Sequence, residues 1–257
     1  IVERIKSRDH TERMLKHNAQ TIRIKKGNEN LIEIKGKKSL NPINIFVPGD
    51  PSSASFYAGL CLLSKNSKII LKQVHINPTR IGFFNIIRKH KGKISFKNKK
   101  NQGNEIVADI HVASSKIRAL NVSEKFFVSC QDEFPLMFAM ASLLPGVSTF
   151  KGIEDLANKE SNRIKEMQKI LKQIGIKSLT SKNKMKIYGN PDLDITNKTI
   201  VVSGILDHRI LMSAAILSLL TGIKTNLKNF VQVGTSCPNF LSTIAALGGK
   251  FETKKKN

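Results

Sequence analysis

The stretch RIKEMQKILKQIGIKSL, residues 163–179, changes its period at a glycine. Ile164, Met167, Ile170, Leu171 and Ile174 recur at helical spacing, while Lys165, Lys169, Lys172 and Gln173 take the other face, which predicts an amphipathic helix with one apolar stripe. Gly175 suits the left-handed residue that closes a helix, and the chain then runs on as a strand. The same order recurs in residues 12–24, 83–96 and 240–251, which close on Asn18, on Lys91 followed by Gly92, and on Gly248. The closing positions lie roughly 70 to 85 residues apart, a spacing that predicts repeated supersecondary units.

Between these helices lie others, residues 53–63, 135–144 and 207–221, that are apolar nearly all round and are therefore predicted to be buried. Short β-rich segments surround them at 44–47, 69–75, 106–112, 186–188 and 199–202. Each unit reads as strand, buried helix, strand, exposed helix, then one or two strands, so the fold class is α/β with several similar lobes. No GxGxxG or GxxxxGK[ST] occurs, which argues against a doubly wound nucleotide fold, and Gly49 and Gly146 are assigned to turns.

With 40% hydrophobic and 24% charged residues in 257, the composition is that of a folded chain rather than a disordered one. The absence of Trp and only two Tyr argue against an aromatic platform for nucleic acid. A net charge of +24 concentrates anionic partners, but much of it lies in polar connections such as Lys25-Lys26-Gly27-Asn28, Lys97-Asn98-Lys99-Lys100 and the tail Lys254-Lys255-Lys256-Asn257, as expected of a solvated surface. The longest apolar run, 210–223, is broken by Ser and Thr and falls short of the roughly 20 residues a membrane span needs. Cys61, Cys130 and Cys237 are odd in number and far apart, so neither a disulfide framework nor a CxxC metal pair is expected, and a cytoplasmic location is. The chain opens at Ile1 in what reads as the middle of an element, which suggests a fragment or a processed piece.

Two clusters point to an anionic ligand. Lys159-Glu160-Ser161-Asn162-Arg163 enters one helical run and Asp207-His208-Arg209 enters another, each placing fixed positive charge beside a carboxylate where backbone N–H groups already favour an anion. Lys159 and Arg163, four apart, are predicted to share a helical face, and an ordinary charged first turn would also account for them. Asp207 is a good N-cap, which alone would explain it. Gln131-Asp132-Glu133-Phe134-Pro135 adds acids at the start of a further apolar run, so an acid and a base can come from different helices. Ser7-Arg8-Asp9-His10-Thr11-Glu12 is another helix entrance able to grip a phosphate, and Val47-Pro48-Gly49-Asp50-Pro51-Ser52-Ser53 is a turn feeding a capped helix. His10, His17, His75, His90 and His111 show no metal-ligand spacing, and no metal is assigned.

In order, SRDHTERML at Ser7, VPGDPSSASF at Val47, INPTR at Ile76, DEFP at Asp132, KESNR at Lys159, LDHRI at Leu206 and TSCPNF at Thr235 resemble the EPSP synthase branch of the enolpyruvyl transferases across the whole chain. The resemblance implies a two-lobed fold of βαβαββ units. Residues 1–46 would be the last unit of one lobe, and 47–257 the returning lobe, with the remainder of the first lobe upstream. It implies transfer of the enolpyruvyl group of phosphoenolpyruvate to the 5-hydroxyl of shikimate 3-phosphate with release of phosphate, by addition and elimination, without metal or organic cofactor.

By the same resemblance Asp132 and Glu160 are the catalytic carboxylates. Ser7, Arg8, Asp132 and Lys159 bind shikimate 3-phosphate, and Arg163, His208 and Arg209 bind phosphoenolpyruvate, the arginines as planar forks for an anion. The partners implied are these two small molecules, with no nucleic acid and no membrane, and the complete protein is expected to be a monomer. Ala157-Asn158 stands where the family carries Arg-Val and Asn162 where it carries Asp, changes that remove two charges, and several family segments that complete the site have no counterpart, so the 257 residues alone are expected to be inactive. UDP-N-acetylglucosamine enolpyruvyl transferase, with the same fold and donor, and a basic, non-catalytic nucleic-acid-binding module are the competing expectations.

Overall fold

The computed structural model describes residues 1–254 apart from His17, Ala19, Gln20, Lys26, Asn28, Lys37, Lys38 and Gly103. His17, part of the polar connection at 25–28 and most of the basic tail therefore lie outside the described residues. The chain forms two compact units, one from the described residues of Ile1–Lys116 and Ser123–Gln131, the other from those of Ile117–Val122 and Asp132–Asn257.

In the first unit, β1 (Val2–Glu3), α1 (His10–Lys16), β2 (Ile22–Lys25) and β3 (Asn30–Ile34) give a small antiparallel sheet of order β1-β3-β2. Then come α2 (Pro51–Leu63), β4 (Lys68–His75), α3 (Gly82–Lys89), β5 (Lys93–Gln102) and β6 (Glu105–Ala113), the strands antiparallel in order β4-β6-β5. Helices α2 and α3 pack on this second sheet, burying Phe56, Phe83 and Phe84. Two bulges interrupt it, between Leu71 and Val74 and between Lys97 and Lys100. The Asp109 carboxylate ties both together, accepting from Asn98 Nδ2 (2.8 Å), Gln73 N (3.0 Å) and Lys72 Nζ (3.1 Å). Those hydrogen bonds, that of Asn98 foremost, hold its pKa down at about 2.

The second unit carries β7 (Asn121–Val122) and, after α4 (Phe127–Cys130) of the first, α5 (Phe134–Ala141), β8 (Gly146–Lys151), α6 (Arg163–Gln173), β9 (Ser178–Ser181) and β10 (Lys184–Gly189). β11 (Thr199–Val202), α7 (His208–Thr221), β12 (Lys224–Leu227) and α8 (Phe240–Ala246) follow. The sheet β7-β8-β10-β9 is antiparallel except for β7 and β8, and β11 pairs with β12 in parallel. All eight residues of α5 are buried, where Phe134 and Phe138 meet Phe150 edge to face. Gly189 has to be glycine, because a Cβ there would meet the Leu144 carbonyl oxygen at 2.0 Å.

The predicted repeat is present. The orders α2-β4-α3-β5-β6, β7-α5-β8-α6-β9-β10 and β11-α7-β12-α8 are versions of one unit. α6 buries Arg163, Ile164, Met167, Ile170 and Leu171, and Gly175, at φ +77°, ends its run before β9. The three apolar helices are buried along most of their length.

Two strand expectations fail. Residues 44–47 are not a strand, and Ile45, Phe46 and Val47 are exposed. β7 and β11 pair in parallel with β8 and β12, whereas the corresponding pairing to β4 shrinks to one parallel bridge, Gly49 to Val74, at the bulge. β-propensity without a partner strand does not make a strand. The second failure follows α8, where Gly248 at φ +89° leads into irregular chain rather than a strand, as far as the described residues reach.

Candidate active site

Six of the eight expected site residues lie in the second unit, and their placement starts with two helix caps. Asn162 caps α6, its Oδ1 accepting from Lys165 N at 3.0 Å, which makes Arg163 the first helical residue. Lys159 is extended and, with Glu160, precedes the helix, so the shared helical face expected for Lys159 and Arg163 does not form. Asp207 caps α7, its Oδ1 accepting from Arg209 N at 2.9 Å.

The guanidinium of Arg163 gathers three carboxylates. Nε donates to Asp207 Oδ2 (2.9 Å), Nη2 to Glu160 Oε2 (2.6 Å) and to Asp207 Oδ1 (3.4 Å), and Nη1 to Asp132 Oδ1 (3.4 Å). Ser161 Oγ also donates to Asp207 Oδ2, at 2.9 Å. Side-chain exposure rises outward along the cluster, 0% for Asp207, 1% for Arg163, 20% for Asp132 and 54% for Glu160. The inner pair is buried, and the outer carboxylates reach solvent.

Burial by itself would raise the Asp207 pKa and lower that of Arg163, but the hydrogen bonds and opposite charge of the pair outweigh it. Asp207 therefore lies below the ordinary carboxylate range, and Arg163 above its own ordinary value. His208 is pushed down by burial and then by the charge of Arg209, against the pull of Asp207 and Glu160, so its imidazole is neutral at pH 7. Arg209 is 7% exposed in the first turn of α7, where helix geometry favours an anion. Two carboxylates on an arginine anchor, beside a neutral imidazole and a further arginine, are suited to holding an anion and moving protons.

In the first unit Ser7 and Arg8 are exposed, and Ser7 donates its N–H and hydroxyl to Glu3 Oε1 at 2.8 and 2.6 Å. Their neighbour Asp9 is tied to Arg13 Nε (3.0 Å), to Lys6 Nζ (3.0 Å) and to Asn77 Nδ2. Burial opposes its ionisation, yet these contacts, Arg13 first, hold its pKa far below the usual range. Arg80 reaches Asp50 Oδ1 at 2.7 Å and Ser52 Oγ at 3.2 Å, so the INPTR segment latches onto both SRDHTE and PGDPSS.

Sequence reasoning missed the Arg163–Asp207 pair and the Ser161 hydroxyl, because 44 residues separate the arginine from the aspartate and no local pattern joins them. It also missed a cluster of His10, His75 and Glu105, whose members lie far apart in the chain.

The EPSP synthase family (3-phosphoshikimate 1-carboxyvinyltransferase) matches residues 2–244. A 3-phosphoshikimate 1-carboxyvinyltransferase from Zymomonas mobilis is 34% identical over 255 residues, covering 98% of this chain and 56% of the relative. The solved EPSP synthase from Acinetobacter baumannii superposes with a TM-score of 0.83 at 30% identity, covering 97% of this chain and 56% of that one. The enolpyruvyl transferase NikO from Streptomyces tendae reaches a TM-score of 0.69 at 11% identity over 92% of this chain and 52% of its own, a likeness of fold alone. The chain spans about half the length of the curated relatives it matches.

Proposed function

This chain belongs to the EPSP synthase family, and from that premise we propose that it serves the transfer of the enolpyruvyl group of phosphoenolpyruvate to the 5-hydroxyl of shikimate 3-phosphate, releasing phosphate. The observation that carries the proposal is the Arg163 cluster, in which Asp132 and Glu160 share one arginine beside the helix start bearing His208 and Arg209.

In the first half of the reaction Asp132 accepts the proton of the 5-hydroxyl as its oxygen bonds to C2 of the enolpyruvyl group, and Glu160 delivers a proton to C3. In the second half the C2–O bond to phosphate breaks, the leaving phosphate takes the proton held by Asp132, and Glu160 takes a proton back from C3 to restore the double bond. Arg209 and Arg163 hold the donor's carboxylate and phosphate, and Lys159 is a ligand of shikimate 3-phosphate. Glu160 occupies an N–H of Arg163 at 2.6 Å. An incoming substrate carboxylate replaces it there and frees the most exposed acid of the cluster for proton transfer. His208, neutral, lines the donor pocket. Ser7 and Arg8 are proposed as ligands of the shikimate phosphate on family correspondence alone.

The lobe boundary near residue 46 and action as a cytoplasmic monomer belong to the same proposal. Three cysteines outside any disulfide support that compartment. Among the described residues no helix is long and apolar enough to cross a membrane.

The test is phosphate release from the two substrates together, on this chain and on the longest open reading frame that contains it. Turnover by the long frame that Arg209→Ala abolishes, with Glu160→Gln slowing deuterium incorporation at C3, is the expected result. A folded long frame that releases no phosphate would overturn the assignment.

A further inference from the structure

In the first unit α1, the end of β4 and the start of β6 bring two imidazoles and a carboxylate together. His10 Nδ1 lies 2.7 Å from Glu105 Oε1, and His75 Nε2 lies 2.8 Å from Glu105 Oε2. The two rings are tilted at 57° with centroids 4.8 Å apart, and one ligand atom from each residue falls within 4.8 Å of the others. Among the described residues this is the one grouping of three or more His, Cys, Asp or Glu close enough to share an ion.

The backbone supports the arrangement. His75 is 4% exposed, its N–H is bonded to the Gly49 carbonyl at 2.9 Å, and its strand is paired to β6 at Val107. His10 is the more exposed of the two, so its side of the cluster is the way in for an ion. His10 Nδ1 is the ring nitrogen that faces Glu105, while its Nε2 is buried without a hydrogen-bond partner.

We propose that His10, His75 and Glu105 form a binding site for a zinc-class divalent cation, with water completing the shell, which pins α1 to the β4-β6-β5 sheet. Two histidines and one glutamate are an established donor set for zinc. With metal–ligand bonds near 2.0–2.1 Å, tetrahedral ligand atoms stand about 3.3 Å apart. The present N···O distances of 2.7 and 2.8 Å are those of hydrogen bonds, so loading removes the bridging protons and opens the cluster by about half an ångström. Arg13 Nη1, 3.5 Å from Glu105 Oε2, orients the carboxylate and opposes a second positive charge.

The test is zinc titration of the untagged protein against a chromophoric chelator, with circular dichroism melting as a second readout. One zinc per chain is expected, together with a raised melting temperature. Affinity should fall about a hundredfold or more in His75→Gln and in His10→Ala, and should tighten severalfold in Arg13→Gln, a gain that mere structural damage does not produce. Zinc binding that is absent, substoichiometric or indifferent to His10→Ala, a change at a partly exposed position that spares the core, overturns the site.

Discussion

Two of the buried helices start on the same device. Asp50 caps α2 with φ −72° and ψ 122°, and Asp207 caps α7 with φ −72° and ψ 106°, each accepting from backbone N–H in the first turn and pairing with an arginine at or just before the start of another helix. At Asp50 the side chain is 41% exposed and its arginine, Arg80, 16%. At Asp207 the figures are 0% and 1%, and Arg163 draws Asp132 and Glu160 in as well. Local geometry sets the cap in both, and burial decides its weight. An ion pair near water is worth about 0–1 kcal/mol, whereas stripping one partner from a buried pair strands a charge and costs about 3–5 kcal/mol.

The largest expected effect is therefore Asp207→Ala, which should cost the second unit about 3–5 kcal/mol in urea unfolding followed by far-UV circular dichroism, the chain having no Trp. Asp50→Ala should cost the first unit about 1–2 kcal/mol, the loss of a cap and a partly screened pair. Equal losses at the two positions would break the comparison.

Acid sharpens it further. Because the folded pKa of Asp207 is lowered, its contribution is fully present above the unfolded value of about 3.9 and is lost as pH falls through the folded pKa. Melting temperatures taken from neutral pH to about pH 2 should fall less steeply in Asp207→Asn than in the parent. Cys61, buried in α2 with its pKa pushed up to about 11 by desolvation, should resist alkylation in the parent and react faster in Asp50→Ala, as read by mass spectrometry. The smallest effect is Lys169→Ala, which removes an exposed intrahelical pair with Glu166 and should change stability by no more than about 0.5 kcal/mol.

Much of this was legible because it is local. The period of Ile164, Met167, Ile170, Leu171 and Ile174 is written in adjacent residues, as are the glycine that follows it and the capping aspartates. Strand 199–202 is found at the bounds expected. Residues 44–47 misled because a strand needs a neighbour, and one strand's composition does not report whether the neighbour is in reach. The helical face expected of Lys159 and Arg163 misled because Asn162 starts the helix later, after the lysine.

The sequence by itself determined the repeat, the buried helices and the family, since each rests on short-range periodicity or on ordered motifs along the chain. Only the tertiary structure decided that Asp207 is Arg163's innermost partner, that Asn77 and Arg80 are latches, and that His10, His75 and Glu105 meet. Charges and ligands act over a few ångströms of space, and residues 44 positions apart come within that range only once the chain has folded.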